Sequence, residues 1–334
     1  MKKIQDKGYW VSKLFYYRSW WTWLINSVRH RSITYFSAVN PGLEFGGMLD
    51  DRKSDVYKML PEYYLPSMVK ANATDQNIKN QIKEKGIGYP LIIKPDVGYR
   101  GYMVRLVENE EELDEVLKEV GDREILVQEY LTEPREFALL FYFMPKTKKF
   151  GISSFVEKIL PFVIGDGKST LEKLIEKNGS AFLDKDYVLK KNQEDLQRVI
   201  PLGKKVTIDH IGNISRGSKF YSKNEEIDAE MIESTRLFFN HLSGINFGRI
   251  DLKANSIEDV RKGDFKVLEI NGAKAEPLHI YEPSFSWYKI WSSISEHWSI
   301  LNQIVSEQLS GNYELPSGKK GIDAAYSFKR QTSQ

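Results

Sequence analysis

Apolar positions between residues 9 and 31 recur at helical spacing: Trp10, Leu14, Tyr17, Trp21, Leu24, Ile25 and Val28 fall on one face of a 3.6-residue repeat. Aromatic residues crowd this segment (Trp10, Phe15, Tyr16, Tyr17, Trp20, Trp21, Trp23), and Arg18, Arg29, His30 and Arg31 flank them. The pattern predicts either a helix docked on the core or an interfacial helix resting on anionic membrane. Residues 33–39 read as a short strand ending at Asn40-Pro41-Gly42, with Gly46-Gly47 close behind. Helices are predicted near 54–60 and 76–85, the second stopped by Gly86.

From Tyr89 the pattern becomes βαβ-like. Leu91-Ile92-Ile93 is a buried strand, and Asn109-Glu110-Glu111-Glu112 is a capping box opening a helix with Leu113, Val116, Leu117 and Val120 on one face. Ile125-Leu126-Val127 is a second strand; residues 137–143 and 150–156 form a hairpin around Pro145-Lys146-Thr147-Lys148. A helix opens at Ser169-Thr170-Leu171-Glu172, and residues 180–225 are polar and mixed. Asp228 caps a helix reaching about Leu242, and strands follow at 247–253 and 265–271. The last clear helix covers about 285–309 with Trp287, Ile290, Trp291, Ile294, Trp298, Leu301, Ile304 and Val305 inward, and the tail after Ser317 is expected to fray.

With 334 residues the chain can bury a sizeable core. Forty-eight basic against 46 acidic residues leave a net charge of +2, so bulk basicity does not argue for a nucleic-acid partner. The absence of cysteine excludes disulfides, thiolate metal sites and a cysteine nucleophile, and fits a reducing, cytoplasmic setting. No apolar run approaches the roughly 18 residues of a membrane span, and no secretory signal is expected.

The candidate chemistry sits on the two strands near the end. Side chains alternate faces along a strand, so Arg249 and Asp251 share one face, and Glu269 and Asn271 share another. If the strands pair antiparallel, Asp251, Glu269 and Asn271 converge as hard oxygen ligands suited to Mg²⁺ held jointly with phosphate oxygens; the alternative is a solvated face of alternating charge. In Tyr89-Pro90-Leu91-Ile92-Ile93-Lys94-Pro95-Asp96-Val97-Gly98-Tyr99-Arg100-Gly101 a lysine ends an apolar strand and a glycine-bearing turn follows, either a phosphate cradle or an ordinary turn. It is not a Walker A loop, since no Gly-Lys-Ser/Thr follows a glycine run. Gln128-Glu129-Tyr130-Leu131 with Arg135-Glu136 offers polar groups to a nucleoside, a weak pattern by itself.

Taken in order, these pieces resemble the ATP-grasp superfamily, above all D-alanine–D-alanine ligases and the ATP-grasp parts of glutathione and cyanophycin synthetases; residues 53–273 carry the likeness. The resemblance implies an α/β (α+β) ATP-grasp fold, two lobes clasping nucleotide, with a shortened N-terminal region. The expected organisation is an aromatic helix (1–31), a short pre-grasp region (32–85), a small lobe (86–131), a C-terminal lobe (132–316) and a tail (317–334). It implies an ADP-forming carboxylate–amine ligase using ATP and Mg²⁺, with Mn²⁺ an admissible substitute, on an amino acid or small peptide-like acid and an amine. A hydroxyl-phosphorylating kinase or a non-catalytic, membrane-docked nucleotide binder are the alternatives, and peripheral membrane contact through 9–31 and a homodimer stay open.

By position, the resemblance assigns Lys94 to the α/β-phosphates and Gly98, Tyr99, Arg100 and Gly101 to a phosphate-covering loop. Gln128, Glu129 and Leu131 would face adenine, and Glu136 the ribose. Asp251, Glu269 and Asn271 would hold the metal, and Arg249 would stabilise the transferring phosphoryl group. Lys158, before Gly165-Asp166-Gly167-Lys168-Ser169-Thr170-Leu171, and Asn213 and Ser215 in Gly212-Asn213-Ile214-Ser215-Arg216-Gly217 match the cyanophycin and glutathione branch as phosphate or substrate contacts. The chain departs from D-alanine ligases at Tyr99-Arg100, where those carry serines, and at Gly272-Ala273-Lys274-Ala275-Glu276-Pro277, where those grip the acceptor carboxylate. Asn40, Gly42, Gly46, Gly47 and residues 276–282 are further candidates for substrate recognition.

Overall fold

The computed structural model describes residues 7–49, 51–98, 103–178, 183–212 and 216–332. A first sheet holds β1 (Met68–Asn72), β2 (Leu91–Pro95), β3 (Arg105–Val107) and β4 (Glu124–Glu129) in the order β1-β4-β2-β3. Its pairs are antiparallel throughout. This corrects the βαβ expectation: β3 and the helix Glu110–Val120 lie between β2 and β4 in sequence, and the chain returns alongside β2 in the opposite sense. Asn109 caps that helix by accepting from Glu112 N–H at 2.9 Å, while the Glu112 carboxylate accepts from Glu108 N–H at 2.9 Å. Val69, Leu91, Ile93, Leu113, Ile125 and Val127 form this lobe's core.

The second sheet joins β5 (Arg135–Phe143), β6 (Phe150–Ile159), β9 (Lys219–Ser222), β10 (Phe247–Ala254) and β11 (Lys266–Asn271) in the order β11-β10-β5-β6-β9, again antiparallel. One face packs Phe137, Leu139, Phe141, Phe155, Ile250, Leu252 and Val267 against the helix Ala229–Phe239 and Tyr57, Tyr64 and Val260. Asp228 starts that helix by accepting from Met231 N–H at 2.9 Å. Leu140 and Phe247 on the other face meet Ile300, Leu301, Ile304 and Val305 of the long helix Trp287–Leu309. β7 (Phe162–Ile164) and β8 (Lys205–Thr207) form a separate ribbon.

Four expectations change. Residues 35–39 form a 3₁₀ turn rather than a strand, with Tyr35, Ser37, Ala38 and Val39 buried. The tail is helical over Gly318–Thr332. In the helix Trp287–Leu309, Trp287 and Trp291 point outward, while Ile290, Ile294, His297 and Leu301 take the inner face. The N-terminal helix, α1 (Lys7–Arg29), docks through Val11, Phe15, Thr22 and Asn26, with Leu14 of the predicted stripe packed beside them and most of that stripe facing outward. Tyr17 is 63% exposed and Val28 74%, and Trp10, Trp21, Leu24 and Ile25 are exposed beside them. No helix among the described residues is long and apolar enough to cross a membrane.

Candidate active site

β10 and β11 pair antiparallel with Asp251 opposite Glu269 and Arg249 opposite Asn271. Directly opposed residues share a face, so all four project from the same side of the sheet. The next strands extend that face, since Lys253 lies opposite Glu136 and Glu136 opposite Lys158. These side chains border one cavity of about 1040 Å³, with Lys53, Lys94, Gly98, Gln128, Glu129 and Leu131 on the side of the first sheet.

Charge is concentrated and internally paired. Arg249 forks onto Asp251, Nε to Oδ1 at 2.9 Å and Nη2 to Oδ2 at 3.1 Å, and Lys158 Nζ lies 3.3 Å from Asp251 Oδ1. Burial alone would raise the Asp251 pKa, but the Arg249 and Lys158 charges overcome it and hold the carboxyl below its usual range. Lys158 also donates to Glu136 Oε1 at 2.9 Å. Burial would lower its pKa; Asp251 and Glu136 outweigh this and raise it.

Across the cavity, Lys94 Nζ donates to Tyr57 OH at 2.9 Å and to the Leu268 carbonyl at 3.0 Å. Burial, reinforced by the Lys53 charge, pushes its pKa down to about 7. The carboxylate of neighbouring Asp96 accepts from Ser54 N–H at 2.8 Å and Oγ at 2.7 Å and pairs with Lys70 at 2.8 Å, fixing the end of β2 against the helix Lys53–Tyr57. That helix brings Lys53 Nζ to the Gly98 carbonyl at 2.9 Å and to within 3.6 Å of Glu269 Oε1, so one cation bridges the two lobes.

The nucleoside-facing candidates divide. Gln128 and Leu131 are buried on the cavity wall, and the Leu131 carbonyl accepts from Lys253 Nζ at 2.7 Å. Glu129 lines the cavity, but its carboxylate accepts from Ser67 N–H at 2.8 Å and its own N–H donates to the Ser67 carbonyl at 3.0 Å. Gly212 packs so closely on Glu136 that a Cβ there would lie 2.3 Å from Oε1, so a side chain at 212 would have to displace the Glu136 carboxylate. Tyr99, Arg100, Gly101, Asn213 and Ser215 lie outside the described residues.

The loop candidates are corrected. Asn40 is fully buried; its Nδ2 donates to the Gly46 and Phe247 carbonyls and its Oδ1 accepts from Phe247 N–H, all at 2.9 Å. Gly42 N–H donates to Gly244 O at 2.9 Å, and Gly46 O accepts from Ala273 N–H at 3.0 Å. This loop braces the turn after Asn271 instead of offering side chains to a substrate. Within 276–282, Glu276 reaches the cavity and accepts from Tyr16 OH at 2.6 Å, whereas Glu282 accepts from Ser222 N–H at 2.9 Å outside it. Lys53, Lys253 and Lys274 are cavity residues that the sequence reading missed. Lys253 could have been found, being two residues from Asp251 on the same strand face; Lys53 and Lys274 sit in polar segments with no periodic signal.

Comparison with known proteins finds a family match over part of the chain. Residues 60–140 match the RimK-like ATP-grasp domain. The chain resembles the ATP-grasp superfamily. Its fold is mixed α/β with antiparallel sheets. Among solved structures, the VanG D-Ala:D-Ser ligase of Enterococcus faecalis aligns at 17% identity over 77% of this chain and 61% of its own, with a TM-score of 0.43. D-alanine–D-alanine ligase of Bacillus anthracis gives 16%, 80%, 68% and 0.44 by the same measures. The bifunctional glutathione synthetase of Pasteurella multocida gives 15%, 74%, 36% and 0.39. This chain therefore spans less than two thirds of the VanG ligase. No curated protein matches it.

The donor set fits the divalent cation of ATP-grasp chemistry. Asp251 and Glu269 are paired carboxylates, and the buried Asn271 Nδ2 has no hydrogen-bond partner among the described residues, so nothing opposes turning the amide oxygen toward a cation. No cluster of three acidic, cysteine or histidine side chains that could hold a metal occurs among the described residues.

Proposed function

We propose that the protein is an ADP-forming carboxylate–amine ligase acting on small-molecule substrates. The observation that carries this reading is the single charged face of Arg249, Asp251, Glu269 and Asn271, set across one cavity from Lys53 and Lys94. The substrate carboxylate oxygen attacks the γ-phosphorus of ATP; the new O–P bond forms as the bond to the β,γ-bridging oxygen breaks and ADP leaves. The amine nitrogen then attacks the acyl carbon, the C–O bond to phosphate breaks, and the nitrogen loses its proton as the amide forms. A carboxylate activated in this way reacts with water too, so an enclosed site is required.

Little covalent work falls to the protein; its task is positioning and charge neutralisation. Lys94 and Lys53 are assigned to the nucleotide phosphates, and Gln128, Leu131 and the Glu129 backbone to adenine. Glu136 and the Gly212 turn are assigned to the ribose side, and Arg249 and Lys158 to the phosphoryl oxygens. Asn213, Ser215 and the Gly98–Gly101 loop keep their proposed contacts with phosphate or substrate. Asp251, Glu269 and Asn271 would hold Mg²⁺, which supplies charge compensation at the transferring phosphoryl group. In the free protein Arg249 and Lys158 neutralise Asp251, and Lys53 approaches Glu269.

The exposed ridge of α1 supports a peripheral partner as well. Among its residues α1 has Lys7, Lys13, Arg18 and Arg29 and no acidic side chain, and Arg18 lies 5.9 Å over the ring of Trp291, so the ridge continues onto the helix Trp287–Leu309. Aromatic bulk rimmed by positive charge suits the headgroup region of an anionic bilayer, and we assign the enzyme to the cytoplasmic face of a membrane.

The central test is ADP release from the full chain with Mg-ATP and a panel of acids and amines, followed by product mass spectrometry. An amide with free phosphate supports the ligase. A stable phosphorylated product makes the protein a kinase, and no turnover by a folded, nucleotide-binding sample argues against catalysis.

A further inference from the structure

The cavity is larger than a nucleotide site and changes character along its length. At about 1040 Å³ it meets the upper limit of a typical small-molecule pocket. Beyond Arg249 and Asn271 it runs beneath α1, where Ser12, Phe15, Tyr16, Ser19, Trp20 and Trp23 line it. Their spacing of three, four, seven, eight and eleven residues from Ser12 is one helical stripe. It shares Phe15 with the residues that dock α1, and Tyr16 and Trp20 at its outer edge are exposed. The opposite wall is equally apolar, with Tyr35, Phe36, Val39, Trp298, Leu301 and Val305.

The same lining holds Arg249, Lys274 and Glu276. Glu276 is already engaged by the hydroxyls of Tyr16 at 2.6 Å and Tyr281 at 2.5 Å. Arg249, which forks onto Asp251, and Lys274 are cationic side chains of this lining. Trp20, 70% exposed, belongs to it as well.

We propose that the acid substrate is amphipathic: its carboxylate sits between Arg249 and Lys274, and an apolar body, the size of a medium acyl chain or a pair of rings, fills the chamber under α1. This rests on the ligase reading above and names the class of acid. Small amino acids, the simplest expectation from the resemblance, would leave the chamber unfilled.

The test is calorimetric titration of the full chain, in the presence of Mg²⁺ and a non-hydrolysable ATP analogue, with acetate, hexanoate, octanoate and dodecanoate below their micellar concentrations. Affinity is expected to rise roughly fourfold for each methylene added until the chamber is full. Ser19→Trp, a helix-surface change that projects into the chamber, should flatten the series beyond hexanoate by at least tenfold while leaving the affinity for the ATP analogue unchanged. Trp23→Ala, which widens the chamber, should shift the optimum to a longer acid. A series independent of chain length, or one that Ser19→Trp and Trp23→Ala both leave intact, overturns the proposal. ADP release measured on the same acids with an amine separates the two readings. A chain-length gradient without turnover upholds the chamber and sinks the ligase; turnover of acetate and dodecanoate with equal kcat/KM upholds the ligase and sinks the chamber.

Discussion

At the scale of single residues, Lys94 is the group whose chemistry depends most on what enters the cavity. Burial and the nearby Lys53 charge hold its pKa at about 7 in the free protein, against about 10.4 in an unfolded chain. Between those values the unfolded chain keeps a proton that the folded one has lost, so Lys94 makes stability rise with pH across that window. The phosphates of ATP reverse the balance, since anions at contact favour the charged ammonium. At pH 8, binding of Mg-ATP should therefore take up close to one proton, falling toward none at pH 6. Calorimetry in Tris and HEPES reads this directly, and Lys94→Met should abolish the buffer dependence; heats identical in both buffers with the native protein would rule the assignment out. The same variant loses a charge-assisted contact of about 1.5–3 kcal/mol, which is about one to two decades of kcat/KM. Asn40 makes the contrasting case. Its three hydrogen bonds hold backbone to backbone, so Asn40→Ala should cost about 1–3 kcal/mol for each buried partner left unpaired. That loss would appear as a lower midpoint in urea, with KM for ATP unchanged.

Elements differ in how openly their sequences declare them. β10 and β11 were readable because period-two alternation puts Arg249 and Asp251, and Glu269 and Asn271, on matching faces, and antiparallel pairing needed only to bring those faces together. β1 was not: in Met-Val-Lys-Ala-Asn only Val69 is buried, and its place at the sheet edge comes from β4 alone. Residues 35–39 misled because Tyr35 and Ala38, three apart, fit a 3₁₀ turn as well as a strand, and packing against the long helix decides. α1 misled in a more informative way. Its most apolar stripe faces outward, whereas the docked stripe includes Thr22 and Asn26, polar residues satisfied within the helix: Thr22 Oγ1 accepts from Arg18 Nη1 and the Asn26 side chain donates to the Thr22 carbonyl, each at 2.9 Å. Hydrophobicity alone does not choose between faces when a helix is apolar nearly all round. The two faces predict opposite mutational behaviour. Replacing Trp21, Ile25 and Val28 together by Ser should leave the urea midpoint nearly unchanged, as surface substitutions do, and abolish co-flotation with vesicles containing phosphatidylserine. Phe15→Ala should cost about 3–5 kcal/mol of stability through the cavity it leaves. Flotation that survives the triple change would remove the membrane assignment, and a triple variant that turns a self-associating protein monomeric in sedimentation would make a second copy the partner instead.

Across the whole molecule, the cavity lies where two antiparallel sheets face each other, and the groups assigned to ATP are split between them: Lys94, Gln128 and Leu131 on the first, Glu136, Arg249, Asp251, Glu269 and Asn271 on the second. Three side-chain contacts cross the gap beside these groups. Lys94 reaches the Leu268 carbonyl at 3.0 Å, Lys253 reaches the Leu131 carbonyl at 2.7 Å, and Lys53 approaches Glu269 at 3.6 Å. A nucleotide touching both sheets adds contacts that neither lobe makes alone, and a ligand bound only by the native state stabilises it by about 2.7 kcal/mol at one hundred times its Kd. Mg-ATP at that excess should raise the melting temperature by several degrees. Split assignment makes a sharper demand than stabilisation itself. Glu136→Gln on the second sheet and Lys94→Met on the first should each lower the shift, and the double variant should lose less than the sum, because removing either anchor already lets the nucleotide settle on the other sheet. Strict additivity of the two losses in a thermal-shift cycle would mean that the sheets bind their ends of ATP independently, and that closure of one lobe on the other contributes nothing to nucleotide affinity.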